Sequence, residues 1–120
     1  MAGNALMSGV DAARMHSMLY TTTASEREAA SLAKHLLGKR LIACANVFRI
    51  RSIYRWKGKI LDEGEFAVIM KTRTALVKKA TAEAAKVHSY EVPCLVSYQM
   101  GEGLPAYLEW IDEGTRQSKK

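Results

Sequence analysis

The spacing of apolar residues changes several times along the chain. "SMLYTTT", Ser17 to Thr23, is short and rich in β-formers, which predicts a first strand. In "SEREAASLAKHLLGKR" the spacing becomes helical: Leu32, Ala33, Leu36 and Leu37 fall on one stripe. Ser25 and Glu28 stand at the capping-box spacing that opens a helix, and Gly38 with Lys39 and Arg40 predicts its stop. Apolar and β-branched residues then run from Leu41 to Trp56, longer than the usual ~5–6 residues of a strand. "KGK" around Gly58 predicts a turn, and Phe66 to Thr72 the core of the returning strand. Leu76, Ala80, Ala84 and Val87 return to helical spacing and predict a second helix from Thr74 to about His88. Pro93 pushes Val92 extended, and "CLVSYQM" predicts the last strand. Pro105 suits the first turn of a short terminal helix with Tyr107, Leu108 and Ile111 on its apolar side.

The order β-α-β-β-α-β followed by a short helix predicts an α/β (α+β) chain: a ferredoxin-like sandwich of four antiparallel strands with two helices on one face. Residues 18–116 would form this domain, residues 1–17 a flexible N-terminal extension and residues 117–120 a tail. No apolar run approaches the ~20 residues of a membrane-spanning helix, so no membrane partner is expected. The first 17 residues lack the basic and apolar regions of a secretory signal, and Arg14 is their only lysine or arginine. The long hairpin carries Tyr54 and Trp56 beyond what two short helices can cover. A projecting two-stranded ribbon is marginal in water and its edges invite pairing, so oligomerisation is expected.

Charge narrows the function classes less than its placement does. The formal charge is +6, and "RIRSIYRWKGK", Arg49 to Lys59, holds five cations and no acid. Such a patch binds a polyanion or is simply a solvated face. Tyr54 and Trp56 interleave with Arg55, Lys57 and Lys59, which keeps a nucleic-acid-binding module as an alternative. Against it, "EGEFAVIMK" matches the glycine and one valine of the RNP1 pattern but lacks its aromatic positions.

Two cysteines without a CxxC pair make neither a disulfide framework nor a structural zinc site. They read as reduced thiols in a reducing compartment, the cytoplasm. His88, Glu91 and Cys94 stand at i, i+3 and i+6 across a helix–strand junction, and imidazole with thiolate suits copper or zinc. The alternative is a helix end in which His88 favours the dipole, Glu91 is in solvent and Cys94 packs at a strand start. Cys44 or Cys94 with His88 could form a nucleophile–base pair, but spacing shows neither cysteine activated and a small buried residue explains Cys44 in "IACANV", so no catalytic residue is assigned. His35 is expected to be solvated on the flank of the first helix.

"CANV", "SIYRWKGKI", "MKTR", "HSYEVPCLV" and "YLEWI" occur in an order and spacing that resemble the CutA divalent-cation-tolerance family, over Met18 to Arg116. The resemblance implies a ferredoxin-like homotrimer similar in architecture to PII proteins, with the long hairpins crossing between subunits. Tyr54, Trp56 and Trp110 would then lie at the trimer interface. It implies a non-enzymatic role in tolerance to copper and other divalent cations. His88, Cys94, Glu91 and Cys44 are the metal candidates on this reading. Cys94 stands where the family commonly has glutamate, and the first strand ends in threonines where some members have a cysteine. Lys59, Glu65, Lys71 and Tyr107 match positions that line a cleft between subunits, which gives the alternative of a PII-like sensor of a small anionic ligand.

Overall fold

The computed structural model describes residues 15–117, so most of the expected extension and tail lies outside the described residues. Four strands, β1 (His16–Thr23), β2 (Cys44–Trp56), β3 (Lys59–Arg73) and β4 (Leu95–Gln99), form one sheet. Three helices, α1 (Glu26–Gly38), α2 (Val77–Val87) and α3 (Pro105–Gly114), complete it, and one 3-10 turn (Thr74–Leu76) precedes α2. The strand order is β2-β3-β1-β4 and every pairing is antiparallel. This is the α/β sandwich that the order of elements predicts. β1 begins at His16, whose buried ring bonds Asp112 of α3 at 2.8 Å.

Leu19 of β1 and Val68 and Met70 of β3 face Leu32 and Leu36 of α1 and Ala80 and Ala84 of α2, and all are buried. Small alanines on α2 let it lie close to the sheet. The opposite sheet face carries Met18, Tyr20, Phe48, Ile69, Val96 and Tyr98, by alternation from the register. Phe48, Val96 and Tyr98 of this face are exposed. Lys71 and Cys44 of the same face meet Tyr107 of α3, so α3 covers only one end of it.

α1 stops at Gly38 to Arg40, as the sequence predicts, but the left-handed residue is not the glycine. Gly38 is the last helical residue, and Arg40 takes the left-handed conformation with φ 58°. Arg40 N–H donates to Leu37 O, and Leu41 N–H to Leu36 O, both at 3.0 Å. That pair of bonds is a Schellman motif, with Leu41 and Leu36 as its apolar contact. Leu41 to Ala43 therefore lie outside the strand, although Leu41 and Ile42 are buried, and β2 starts at Cys44. His35 is not simply solvated: it bonds Glu83 of α2 at 2.7 Å, and Lys39 adds an ion pair. The His35 bond, then that of Lys39, holds the Glu83 carboxyl down to about 2.

β2 and β3 pair from Cys44↔Lys71 to Trp56↔Lys59 without interruption. A two-residue turn joins them, with Lys57 at φ 50° and Gly58 at φ 81°. Positive φ at both positions is the type I′ pattern that matches strand twist. The returning strand is thus twice as long as its apolar core, because the turn and the register extend pairing through polar residues.

A left-handed arginine costs energy that glycine avoids, so Arg40→Gly should stabilise the fold by about 1 kcal/mol. Urea unfolding of both proteins measures it; an equal or lower midpoint would contradict the assigned cap.

Candidate functional site

The segment from His88 to Cys94 leaves α2 and enters β4. Its first residue is fully buried at the side chain. Tyr90 N–H donates to His88 Nδ1 at 3.1 Å, which leaves the ring proton on Nε2 to donate to Thr22 O at 2.8 Å. Both ring nitrogens are engaged, so His88 orders the segment and offers no free lone pair to a metal. Glu28 anchors the same segment from α1. Ser25 caps that helix by accepting from Glu28 N–H at 3.1 Å, as its spacing predicts. The Glu28 carboxylate reaches across to accept from Ser89 N–H and Oγ–H, both at 2.9 Å. Burial works to raise the Glu28 pKa, but the Ser89 bonds and the nearby His88 outweigh it and hold it below its ordinary value.

The ordered segment brings Tyr90, Glu91 and Cys94 against the ribbon. Together with Tyr54, Trp56, Glu63 and Glu65 they line a cavity of about 560 Å³. Alternation explains the ribbon's share: Tyr54, Trp56, Glu63 and Glu65 are on one face, while Arg49, Arg51 and Arg55 are on the other. Tyr54 donates to Glu63 at 2.6 Å and Tyr90 to Glu65 at 2.5 Å. The Glu63 bond pushes the Tyr54 phenol up to about 12. Burial, then the Glu65 bond, pushes Tyr90 further up. Burial and the charge of Glu65 also raise the Cys94 thiol, so it stays protonated at neutral pH.

The candidate residues separate into three places. Glu91, Cys94 and Glu65 share the cavity. Cys44 lies with Lys71 and Tyr107 at the far end of the sheet, its Sγ 3.8 Å from Tyr107 Oη. Lys71 Nζ is 5.7 Å from the Tyr107 ring centroid, and Trp110 stacks on Tyr107 at 5.6 Å. Lys59 stands at the ribbon tip opposite Trp56. Lys59 and Lys71 are roughly 40 Å apart along β3, at about 3.3 Å per residue. One chain therefore cannot gather Lys59, Glu65, Lys71 and Tyr107 around one small ligand.

Cys44 is on the edge strand β2 and Cys94 at the start of the opposite edge strand β4, about 14 Å apart across three strand spacings and about 13 Å apart along the strands. They share no metal, and neither has an imidazole aimed at it. Among the described residues no three His, Cys, Asp or Glu side chains converge on a point that holds a metal ion. The donors of one chain thus do not fit a closed metal centre. Sequence spacing missed Glu63, Tyr90 and Tyr54 as cavity residues. The i, i+2 pair Glu63 and Glu65 was the available signal, since alternation sends both to one face.

The model of the CutA1 divalent ion tolerance protein family matches residues 17–114. A divalent-cation tolerance protein CutA of Archaeoglobus fulgidus is 43% identical over 99 residues, covering 82% of this chain and 97% of the relative. One of Thermotoga maritima is 40% identical over 96 residues, covering 80% and 95%. The solved structure from Archaeoglobus fulgidus, described there as periplasmic, superposes with a TM-score of 0.83 at 42% identity over 85% of this chain and all of that one. The CutA1 structure from Oryza sativa gives 0.83 at 30% identity, covering 89% and 99%.

Because the folded-state pKa of Glu28 is depressed, its contribution is present above the ordinary 4.5 and lost as pH falls through the lower folded value. Hydrogen exchange should show the Ser89 amide losing protection over that window while core β1 amides keep theirs. Unchanged protection at Ser89 would show that Glu28 does not hold the segment.

Proposed function

We infer a function from one premise: the chain belongs to the CutA1 divalent ion tolerance protein family. In our reading it is a non-enzymatic homotrimer that contacts a divalent cation or copper through Cys94, with the free carboxylate of Glu91 beside it. The observation that carries the cation contact is the state of these two side chains. Both are exposed, both line the cavity, and neither has a hydrogen-bond partner among the described residues. His88, by contrast, is spent on the backbone. A thiolate suits a soft ion such as Cu(I), and the remaining ligands would come from a neighbouring copy or solvent.

Self-association is supported by the surface. Phe48, Tyr54, Trp56, Val96, Tyr98, Tyr107 and Trp110 are all exposed, and each lies on the open sheet face or on the helix at its end. Exposed aromatic and aliphatic side chains gathered on one face mark an interaction surface. The small-anion reading gains nothing from the cavity, whose charged lining is acidic. The nucleic-acid reading loses support for the same reason, since the ribbon's aromatics share their face with Glu63 and Glu65. The free thiols accord with a reducing compartment, the cytoplasm.

Light scattering after gel filtration should give three times the chain mass of 13.3 kDa; a stable monomer at micromolar concentration would overturn the assembly. In a Cu(I) titration, Cys94→Ala should lose about tenfold or more in affinity. Uptake should also rise with pH, because the raised thiol must release its proton. His88→Ala should retain copper yet unfold more readily, by about 1–3 kcal/mol, because Thr22 O and Tyr90 N–H lose their partner. Identical copper binding by wild type and Cys94→Ala would remove the cation contact from this position.

A further inference from the structure

We propose that Glu65 is paired across the subunit boundary by Lys59, carried on the ribbon tip of a second copy, so that the cavity is complete only between copies. This pair belongs to the homotrimer inferred above and rests on that reading.

Glu65 is only 6% exposed in the single chain, yet no lysine, arginine or histidine pairs with it among the described residues. One bond reaches it there, donated by Tyr90 to Oε2. Tyr54 and Trp56 share its cavity and belong to the self-association surface, so a copy that covers them also covers Glu65. A carboxylate sealed in without a counter-charge is costly, and the covering copy offsets that cost only if it brings a cation.

The cations of the same chain are placed elsewhere or engaged. Alternation puts Arg49, Arg51 and Arg55 on the other face of the ribbon. On the open sheet face β3 carries Lys59, Lys71 and Arg73. Arg73 is held by Thr115, and Lys71 donates to Asn46 at 3.1 Å. Lys57, in the turn, lies over the Trp56 ring at 5.7 Å. Lys59 is exposed and forms no ion pair among the described residues. It stands about 20 Å from Glu65 along the extended strand. The open face therefore has a free cation at the ribbon tip and a sheltered, unpaired acid where the ribbon leaves the helices.

A ring of identical chains joins such unlike patches. A heterologous contact matches one patch of a chain to a different patch of the next, and three equal rotations close it. The stretch of β3 from Glu65 to Lys59 supplies the reach, because it runs past the helices with no layer of its own. Laid on the open face of the next copy, it carries Lys59 to that copy's acid. Each chain gives one ammonium and receives one. The ammonium donates to the carboxylate beside the Tyr90 bond, and both charges are then satisfied away from water.

The test is the assembly of charge variants of the full chain, read by sedimentation over graded protein concentrations. Lys59→Gln should weaken trimer formation about thirtyfold or more, the loss that follows removal of one member of a buried charge pair. Lys59→Glu and Glu65→Lys should each weaken it further. The double variant, Lys59→Glu with Glu65→Lys, should assemble better than either single variant. Mixing the two single variants should also recover trimers, because each mixed ring regains two complementary contacts, and this shows that the pair joins different chains. Near-UV circular dichroism checks each fold, and the variants at exposed Lys59 decide if Glu65→Lys unfolds.

Three outcomes overturn the pair. A wild-type monomer at micromolar concentration removes the trimer and the pair with it. A trimer that Lys59→Gln and Lys59→Glu leave unchanged removes the pair alone. Weakened single variants with no recovery on mixing or in the double variant show that the two residues act separately.

Discussion

A mismatch of lengths governs this molecule. β3 has 15 residues and α1 has 13, yet the strand advances about 3.3 Å per residue and the helix about 1.5 Å. The strand is therefore roughly 50 Å long where the helix is about 20 Å. Helices α1 and α2 can cover only the half of the hairpin that holds Phe66 to Arg73. The other half runs on as a ribbon with no layer of its own to pack against. An open flank for a cavity follows from that overhang, and the association we propose would cover it.

Alternation then gives the ribbon two unlike faces. One carries Arg49, Arg51 and Arg55, with Arg51 gripping Asp62 through two bonds of 2.8 and 2.7 Å. The other carries the aromatics and the two glutamates held by tyrosines. The high positive charge of the segment, taken as a run of letters, hides an acidic face. The pairing Ser52↔Glu63 and Ile50↔Glu65 brings those acids from the other strand onto the side of Tyr54 and Trp56.

The segment after α2 has a matching division of labour. His88 and Glu28 satisfy its backbone and fix its path, and that path delivers Tyr90, Glu91 and Cys94 to the ribbon. A histidine, a glutamate and a thiol close in sequence look like one ligand set. Here the histidine turns inward to the Thr22 carbonyl of β1 while the other two turn outward. The helix end and Pro93 redirect the chain between them, so neighbours in sequence face different surroundings.

The sequence by itself determined the order of elements, the Ser25 cap, the turn at Gly58, the buried Leu32, Ala33 and Leu36 of the α1 stripe, though not the exposed Leu37, and the family. These rest on local periods and on residue types whose backbone preference is strong, and they need no knowledge of distant contacts. It also marked the ribbon as overlong, since length per residue is a property of the strand alone. Tertiary structure decided the rest. At the helix stop the left-handed residue is Arg40 and not the glycine, because Leu41 N–H bonds back to Leu36 O and fixes the residue before it. His35 found Glu83 only because α1 and α2 lie side by side. The cavity joins β3, the ribbon tip and the segment after α2, and its carboxylates meet phenols 9 and 25 residues away in sequence. No local pattern encodes which side chains meet across such separations; the register of β2 on β3 and the path set by His88 do.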